Sequence, residues 1–240
     1  MPGCDWVVNP YVGCGHNCSY CYARFISRWR GHGEWGGWVE VKMNASELIK
    51  DKYVPGSVFM SLICDAYQPI EKDLKLTRKV LENMDKNINL SILTKSVLVL
   101  RDVDLLKKFN NIDVGFTINS FEGKAKKLFE PDSPSWQDRV KAMKKLKENG
   151  IKTYAFVSPI IPELIDIEKV IAETKDYADH YWFEFINMRG AGKEFTEMLS
   201  KEFPESYKIV KNKALFEDFV DEVKRLANNS RIKVKGIEIH

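Results

Sequence analysis

The chain lacks what a secreted or membrane-spanning protein carries. No uninterrupted apolar run in its 240 residues is long enough to cross a bilayer. The opening Met1-Pro2-Gly3-Cys4-Asp5 has neither the basic flank nor the apolar stretch of a signal peptide. A cytoplasmic protein with no membrane partner is expected. Cysteine is sparse and odd in number: of five, three fall within eight residues. That pattern does not suit a disulfide framework, and clustered thiols in a reducing compartment point to a metal site. No Pro-, Gly- or Ser-rich linker and no low-complexity tract divides the chain, so one domain over residues 1–240 is expected, large enough for a full core. The net charge of +3 falls short of a nucleic-acid footprint, though it permits contact with a phosphate-bearing partner.

What the sequence does have is alternation. A short apolar stretch, Trp6 to Gly13, leads into the cysteines and then a helix-compatible run from Tyr22 to Arg30. The segment GHGEWGGW from Gly31 to Trp38 is too rich in glycine for a regular element; it reads as a structured loop or lid whose tryptophans, with Trp29, cap apolar surface, stacking on bases being the alternative. Apolar strands then recur at Ser57–Cys64, Asn89–Thr94, Asp113–Ile118, Thr153–Ser158 and Tyr181–Ile186. Helical patterns over 73–84, 103–109, 135–149 and 167–177 separate them, and a helical tail follows. Near-continuous apolar strands joined by amphipathic helices predict a parallel sheet buried on both faces. About six βα units suit an open, partial (β/α)6 TIM-type barrel; a doubly wound sheet is the alternative. Arg231–Ile239 reads as a terminal edge strand. In such folds chemistry collects at the carboxyl ends of the strands, where the cysteine loop sits.

The cysteines stand in NPYVGCGHNCSYCYAR as Cys14-x3-Cys18-x2-Cys21. A protein-held [4Fe-4S] cubane takes four thiolates, so three leave one iron open to a small molecule. A closed zinc site with His16 as fourth ligand is the competing reading, against which stands the cramped spacing of His16, two residues from Cys14.

Cys-x3-Cys-x-aromatic-Cys, with Tyr20 in the aromatic slot, resembles the signature of radical S-adenosylmethionine (SAM) enzymes. CDAYQPIEKDLKLTRKVLE, LTKSVLVLRDVDLL, FTIN, FEPDSPSWQDRVKAMKKLKENGI and SPIIP further resemble the spore photoproduct lyase-like group of that superfamily. The resemblance implies a partial (β/α)6 barrel, a [4Fe-4S] cluster on Cys14, Cys18 and Cys21, and SAM on the open iron. Reductive cleavage of SAM then yields a 5′-deoxyadenosyl radical that takes a substrate hydrogen, with electrons from an external donor of the reduced ferredoxin or flavodoxin type. A nucleic-acid lesion or base is the leading substrate class it suggests, with peptide or small-molecule modification as the open alternatives.

By the same resemblance Tyr20 packs near the adenine, Lys95 pairs with the SAM carboxylate, Thr117 and Asn119 meet SAM at the end of the fourth strand, and Ser158 faces the adenosine. Asp65 is placed for the SAM amino group, although the usual Gly-Gly-Glu is absent there. Cys64 lies close to where spore photoproduct lyases carry a cysteine that returns a hydrogen atom to the product radical; ordinary core packing is its bland alternative. Glu130 and Arg139 read as an ion pair fixing the loop before a helix, and Cys4 as a bystander. A non-catalytic, zinc-stapled nucleic-acid-binding protein is the contrasting function.

Overall fold

A computed structural model describes residues 3–240. Met1 and Pro2, where both the leader reading and the expected 1–240 domain begin, lie outside the described residues. The expected first strand is two: β1 (Trp6–Val8) and β2 (Tyr11–Val12). Pro10 between them has no N–H to continue a ladder. After the cysteine loop and a tight turn, α1 (Phe25–Arg30) stops at Gly31, which takes the left-handed conformation. Strand β3 (Glu40–Val41) returns antiparallel to β2, and an unanticipated short helix, α2 (Ala45–Ile49), follows. Strand β4 (Ser57–Met60) ends four residues earlier than the sequence pattern suggests. Cys64 is thus a loop residue rather than a strand-end one, and Asp65 follows it in the same loop.

Two short helices, α3 (Glu71–Leu74) and α4 (Leu76–Asn83), replace the expected single one. Next come β5 (Asn89–Thr94), α5 (Val103–Leu106), β6 (Asn111–Ile118), α6 (Gly123–Phe129) and α7 (Trp136–Glu148). Then follow β7 (Lys152–Ile160), α8 (Ile167–Thr174) and β8 (His180–Phe185). The helical tail comprises α9 (Met188–Glu202), α10 (Pro204–Lys211) and α11 (Lys213–Asn229), before the edge strand β9 (Val234–Glu238). Helix starts are set locally: Ser135, Asp166 and Asn187 each accept a hydrogen bond from a backbone N–H three residues on, capping α7, α8 and α9.

Seven parallel strands form one sheet in the order β1-β4-β5-β6-β7-β8-β9, curved into a half-barrel. The side-chain period of two splits each strand between its faces. Leu90, Ile92, Val114, Phe116, Ala155, Val157, Tyr181 and Phe183 join the main core with Val80, Met143, Leu146, Val170 and Val223 from the helices. Each large buried side chain contributes about 1.5–3 kcal/mol. The opposite face, with Tyr154, Phe156, Ser158, Trp182 and Glu184, is left to line the concavity.

Candidate functional site

The cysteine loop is held at its backbone. Buried Gln68 bridges both sides of Cys14: its Nε2 donates to the Gly13 carbonyl (3.2 Å) and its Oε1 accepts from Gly15 N (2.7 Å). Ser19 N donates to the Phe129 carbonyl, fastening the loop to the end of α6. Two glycines let the tryptophan loop lie directly on top. A Cβ on Gly13, whose φ is +85°, would meet the Trp38 carbonyl oxygen at 2.7 Å, and one on Gly36 (φ +94°) would collide with the Asn17 side chain. Trp35 buries itself in a small apolar cluster with Val12, Ala23 and Ile26, against which Cys14, Cys21 and Trp38 pack. Trp35 and Trp38 therefore cap as the sequence suggests; Trp29 does not, being 82% exposed.

Beneath the loop lies a buried ionic network. Tyr20 OH donates to Glu130 Oε1, Asn119 Nδ2 donates to the same oxygen at 2.8 Å, and Arg139 closes on Glu130 Oε2. Arg139 also donates to the Thr117 carbonyl (3.0 Å), and Asn119 reaches the Ser158 carbonyl (3.2 Å). Burial alone raises the Glu130 pKa, but Arg139 and then Lys95 hold this carboxyl well below the usual range. The Lys95 ammonium stands 5.6 Å from the centre of the Tyr20 ring. The ion pair read from sequence is present, and it reaches further than the loop it was expected to fix. It ties Tyr20, Asn119 and the carbonyls of Thr117 and Ser158 into one unit.

Asp65 accepts three hydrogen bonds. Thr94 Oγ1 (2.7 Å) and Tyr67 N (2.8 Å) donate to Oδ1, and Lys95 N (2.8 Å) to Oδ2, with His16 Nε2 3.3 Å from Oδ2. Burial opposes ionisation, yet His16 and these donors bring its pKa down to about 2. A carboxylate so engaged positions the Lys95 backbone, and Oδ2, with a single hydrogen-bond donor, keeps acceptor capacity. Cys64, partly buried, sits with Sγ 3.7 Å from Asn9 Oδ1, which also accepts from Leu62 N and Ile63 N. Burial pushes its thiol up to about 12, so it keeps its proton at neutral pH.

Gln68 and Glu184 escaped sequence reasoning. Glu184 Oε2 accepts from Ser158 Oγ (2.6 Å), so a carboxylate from β8 is aimed into the concavity beside a candidate cofactor residue. A glutamine in a loop and a lone glutamate in an apolar strand carry no local signal, although Gln68 lies inside a motif quoted above.

The residues fit an iron-sulfur cluster. Burial raises all three thiols, Cys18 to about 12, so ionising them calls for a strongly cationic centre, as iron provides. Three polar atoms in or around the loop, His16 Nε2, Ser19 Oγ and Trp35 Nε1, are buried without a hydrogen-bond partner among the described residues, a costly state that a bound group would relieve. Zinc fits worse. His16 is turned to Asp65 and to the Asp132 carbonyl (3.3 Å from Nδ1). No three His, Cys, Asp or Glu side chains among the described residues gather around one metal position. The thiolates of a cubane bind separate irons and need not converge so.

The half-barrel gathers a thiol loop, a lysine and a buried acid network on one rim, the end of an α/β barrel where binding sites form. The chain belongs to the radical SAM superfamily, whose family model matches residues 8–174. It is 54% identical over 240 residues to uncharacterized protein MJ0683 of Methanocaldococcus jannaschii, covering all of this chain and 92% of that one. Uncharacterized protein ORF301 of Acidianus two-tailed virus is 30% identical over 216 residues, covering 81% of this chain and 71% of the relative. The fold is similar to that of a spore photoproduct lyase variant with bound AdoMet and dinucleoside spore photoproduct. There the TM-score is 0.66 at 15% identity, covering 100% of this chain and 77% of that one. It is also similar to Streptococcus suis SuiB bound to precursor peptide SuiA (TM-score 0.57, 16% identity, 98% of this chain and 48% of that one). The chain is thus an enzyme, which sets aside the non-catalytic zinc reading. No helix among the described residues is long and apolar enough to cross a membrane.

Proposed function

We propose that Cys14, Cys18 and Cys21 hold a [4Fe-4S] cluster and that SAM binds beside Lys95, Thr117, Asn119 and Ser158. When bound, the pair supplies a 5′-deoxyadenosyl radical that takes one hydrogen from a substrate in the half-barrel. The observation that carries this reading is the shared rim: the thiol loop is fastened through Tyr20, Glu130 and Asn119 to the strand ends that bear the other candidate residues. The chain's part is to orient these groups and to keep hydrogen donors other than the substrate away from the reacting carbon. Tyr20 then packs beside the adenine, Lys95 offers its ammonium to the SAM carboxylate, and Asp65 fixes Lys95 from below. Cys64, with its thiol proton retained, stands at the same rim as a hydrogen donor to the product radical.

We favour a nucleic-acid lesion or base as substrate, on the motif resemblance to the spore photoproduct lyase-like group. A reduced ferredoxin or flavodoxin would supply electrons. Anaerobic reconstitution tests the reading: about four irons per chain and 5′-deoxyadenosine on reduction with SAM are expected. Alanine at Cys14, Cys18 or Cys21 should remove both, and alanine at Cys4 neither. Colourless protein retaining one zinc would overturn it. Incubation with deuterated oligonucleotides and, in parallel, deuterated peptides then identifies the substrate class by which one delivers label into 5′-deoxyadenosine.

A further inference from the structure

Helix α1 begins four residues after Cys21, with its inner side packed towards the thiol loop and its outer side exposed. Its inner residue Ile26, with Ala23 just before it, is buried in the small cluster against which Cys14 and Cys21 pack. Its outer face is anomalous for an enzyme surface. Phe25 and Trp29, one turn apart, are 42% and 82% exposed and meet edge to face at 5.2 Å. Arg28 and Arg30 are exposed alongside, and FISRWR contains no acid; Arg30 pairs at 3.8 Å with Glu40, from β3. Exposed aromatics with arginines are the composition of binding hot spots, not of idle surface.

We infer that this face of α1 docks an acidic one-electron carrier protein. The inference rests on the cluster assigned to the adjacent loop in the proposed function. One electron leaves the carrier and reduces the iron-sulfur centre by one, with no bond made or broken at the interface. Electron transfer falls off steeply with distance, and α1 follows Cys21 closely and packs Ile26 into the cluster that Cys14 and Cys21 join. The charge fits as well: arginines steer an acidic partner, while the Phe25–Trp29 pair supplies the desolvated centre of a short-lived contact. A second copy of this chain is disfavoured, since a twofold contact would set Arg28 and Arg30 against themselves. A nucleic-acid strand is less suited, because two arginines release few counterions.

The test uses the full reconstituted chain with photoreduced flavodoxin of acidic surface, or with dithionite, as reductant. Trp29→Ala and the double variant R28E/R30E should lose about tenfold or more of flavodoxin-driven 5′-deoxyadenosine formation, with dithionite-driven formation kept. The flavodoxin rate of the unmodified chain should fall with added salt, and that dependence should flatten in R28E/R30E. Flavodoxin rates within about twofold of the unmodified chain in both variants would overturn the inference. So would equal losses with both reductants, or loss of oligothymidine binding with flavodoxin turnover kept. Failure of the unmodified chain to cleave SAM even with dithionite would instead overturn the proposed function, and this inference with it.

Discussion

The hydroxyl of Tyr20, between Cys18 and Cys21, donates to the same Glu130 carboxylate that Arg139 neutralises from the other side. Both charges of that pair are fully buried. Removing one partner leaves the other uncompensated, so Arg139→Met should destabilise the fold by about 3–5 kcal/mol in urea denaturation. Tyr20→Phe, which deletes one hydrogen bond to a charge, should cost about 1.5–3 kcal/mol. The double variant should fall short of the sum; strict additivity would show that the two contacts are independent.

Lys95→Met should weaken SAM binding by about tenfold, as expected for the loss of a charged contact, with iron content unchanged. Lys95→Arg should not restore it, because a planar fork cannot replace a compact ammonium held close to Tyr20. Equilibrium dialysis with labelled SAM measures both, and unaltered binding in Lys95→Met would remove Lys95 from the SAM site.

The unpaired Trp35 Nε1 gives a redox prediction. A hydrogen bond to cluster sulfur draws off electron density and favours the reduced state. Trp35→Phe should therefore shift the midpoint potential to more negative values at equal iron loading, read by EPR-monitored titration. An unchanged potential would direct that N–H elsewhere.

Cys64→Ala should leave SAM cleavage intact and divert the substrate-derived products, since the S–H hydrogen atom, whose transfer forms the product C–H bond and leaves a thiyl radical, would no longer be available. Product analysis by mass spectrometry decides this, and an identical product profile with the true substrate would reduce Cys64 to packing.

His180 stacks on Tyr154 at 4.9 Å, and burial, followed by Lys235, lowers its pKa from 6.5 to about 4. The unfolded chain takes up this proton as pH falls through 6.5, while the folded chain resists until about 4. Below 6.5 the unfolded state binds more protons, so stability is full above that value and declines towards 4. Urea midpoints at about pH 7.5 and about pH 5 should differ less in His180→Phe than in the unmodified chain. An equal difference would acquit His180.

The strands over 89–94 and 113–118 were legible because their apolar runs have strand length, and the helix over 136–148 because its amphipathic pattern runs over 135–149. Helices α2 and α6 were not. Both are short and lack a strong apolar stripe, and their burial is decided by neighbours distant in sequence. Cys64 was read onto a strand because its apolar run continues past Met60; what ends β4 is the pairing available from β1 and β5, a tertiary fact.

By itself the sequence determined the chemistry that is encoded locally: three thiols at fixed spacing, a tyrosine between them, and the βα rhythm that sends them to a sheet's carboxyl rim. Tertiary structure alone decided which polar groups are spent and which are free. Asp65 is engaged by Thr94, Tyr67 and Lys95, Gln68 is recruited across more than fifty residues to brace Cys14, and Glu184 is turned towards Ser158. Hydrogen bonding in a buried site depends on which donors and acceptors meet once water is excluded. That meeting is set by strand register and loop closure, and no residue's own identity records it.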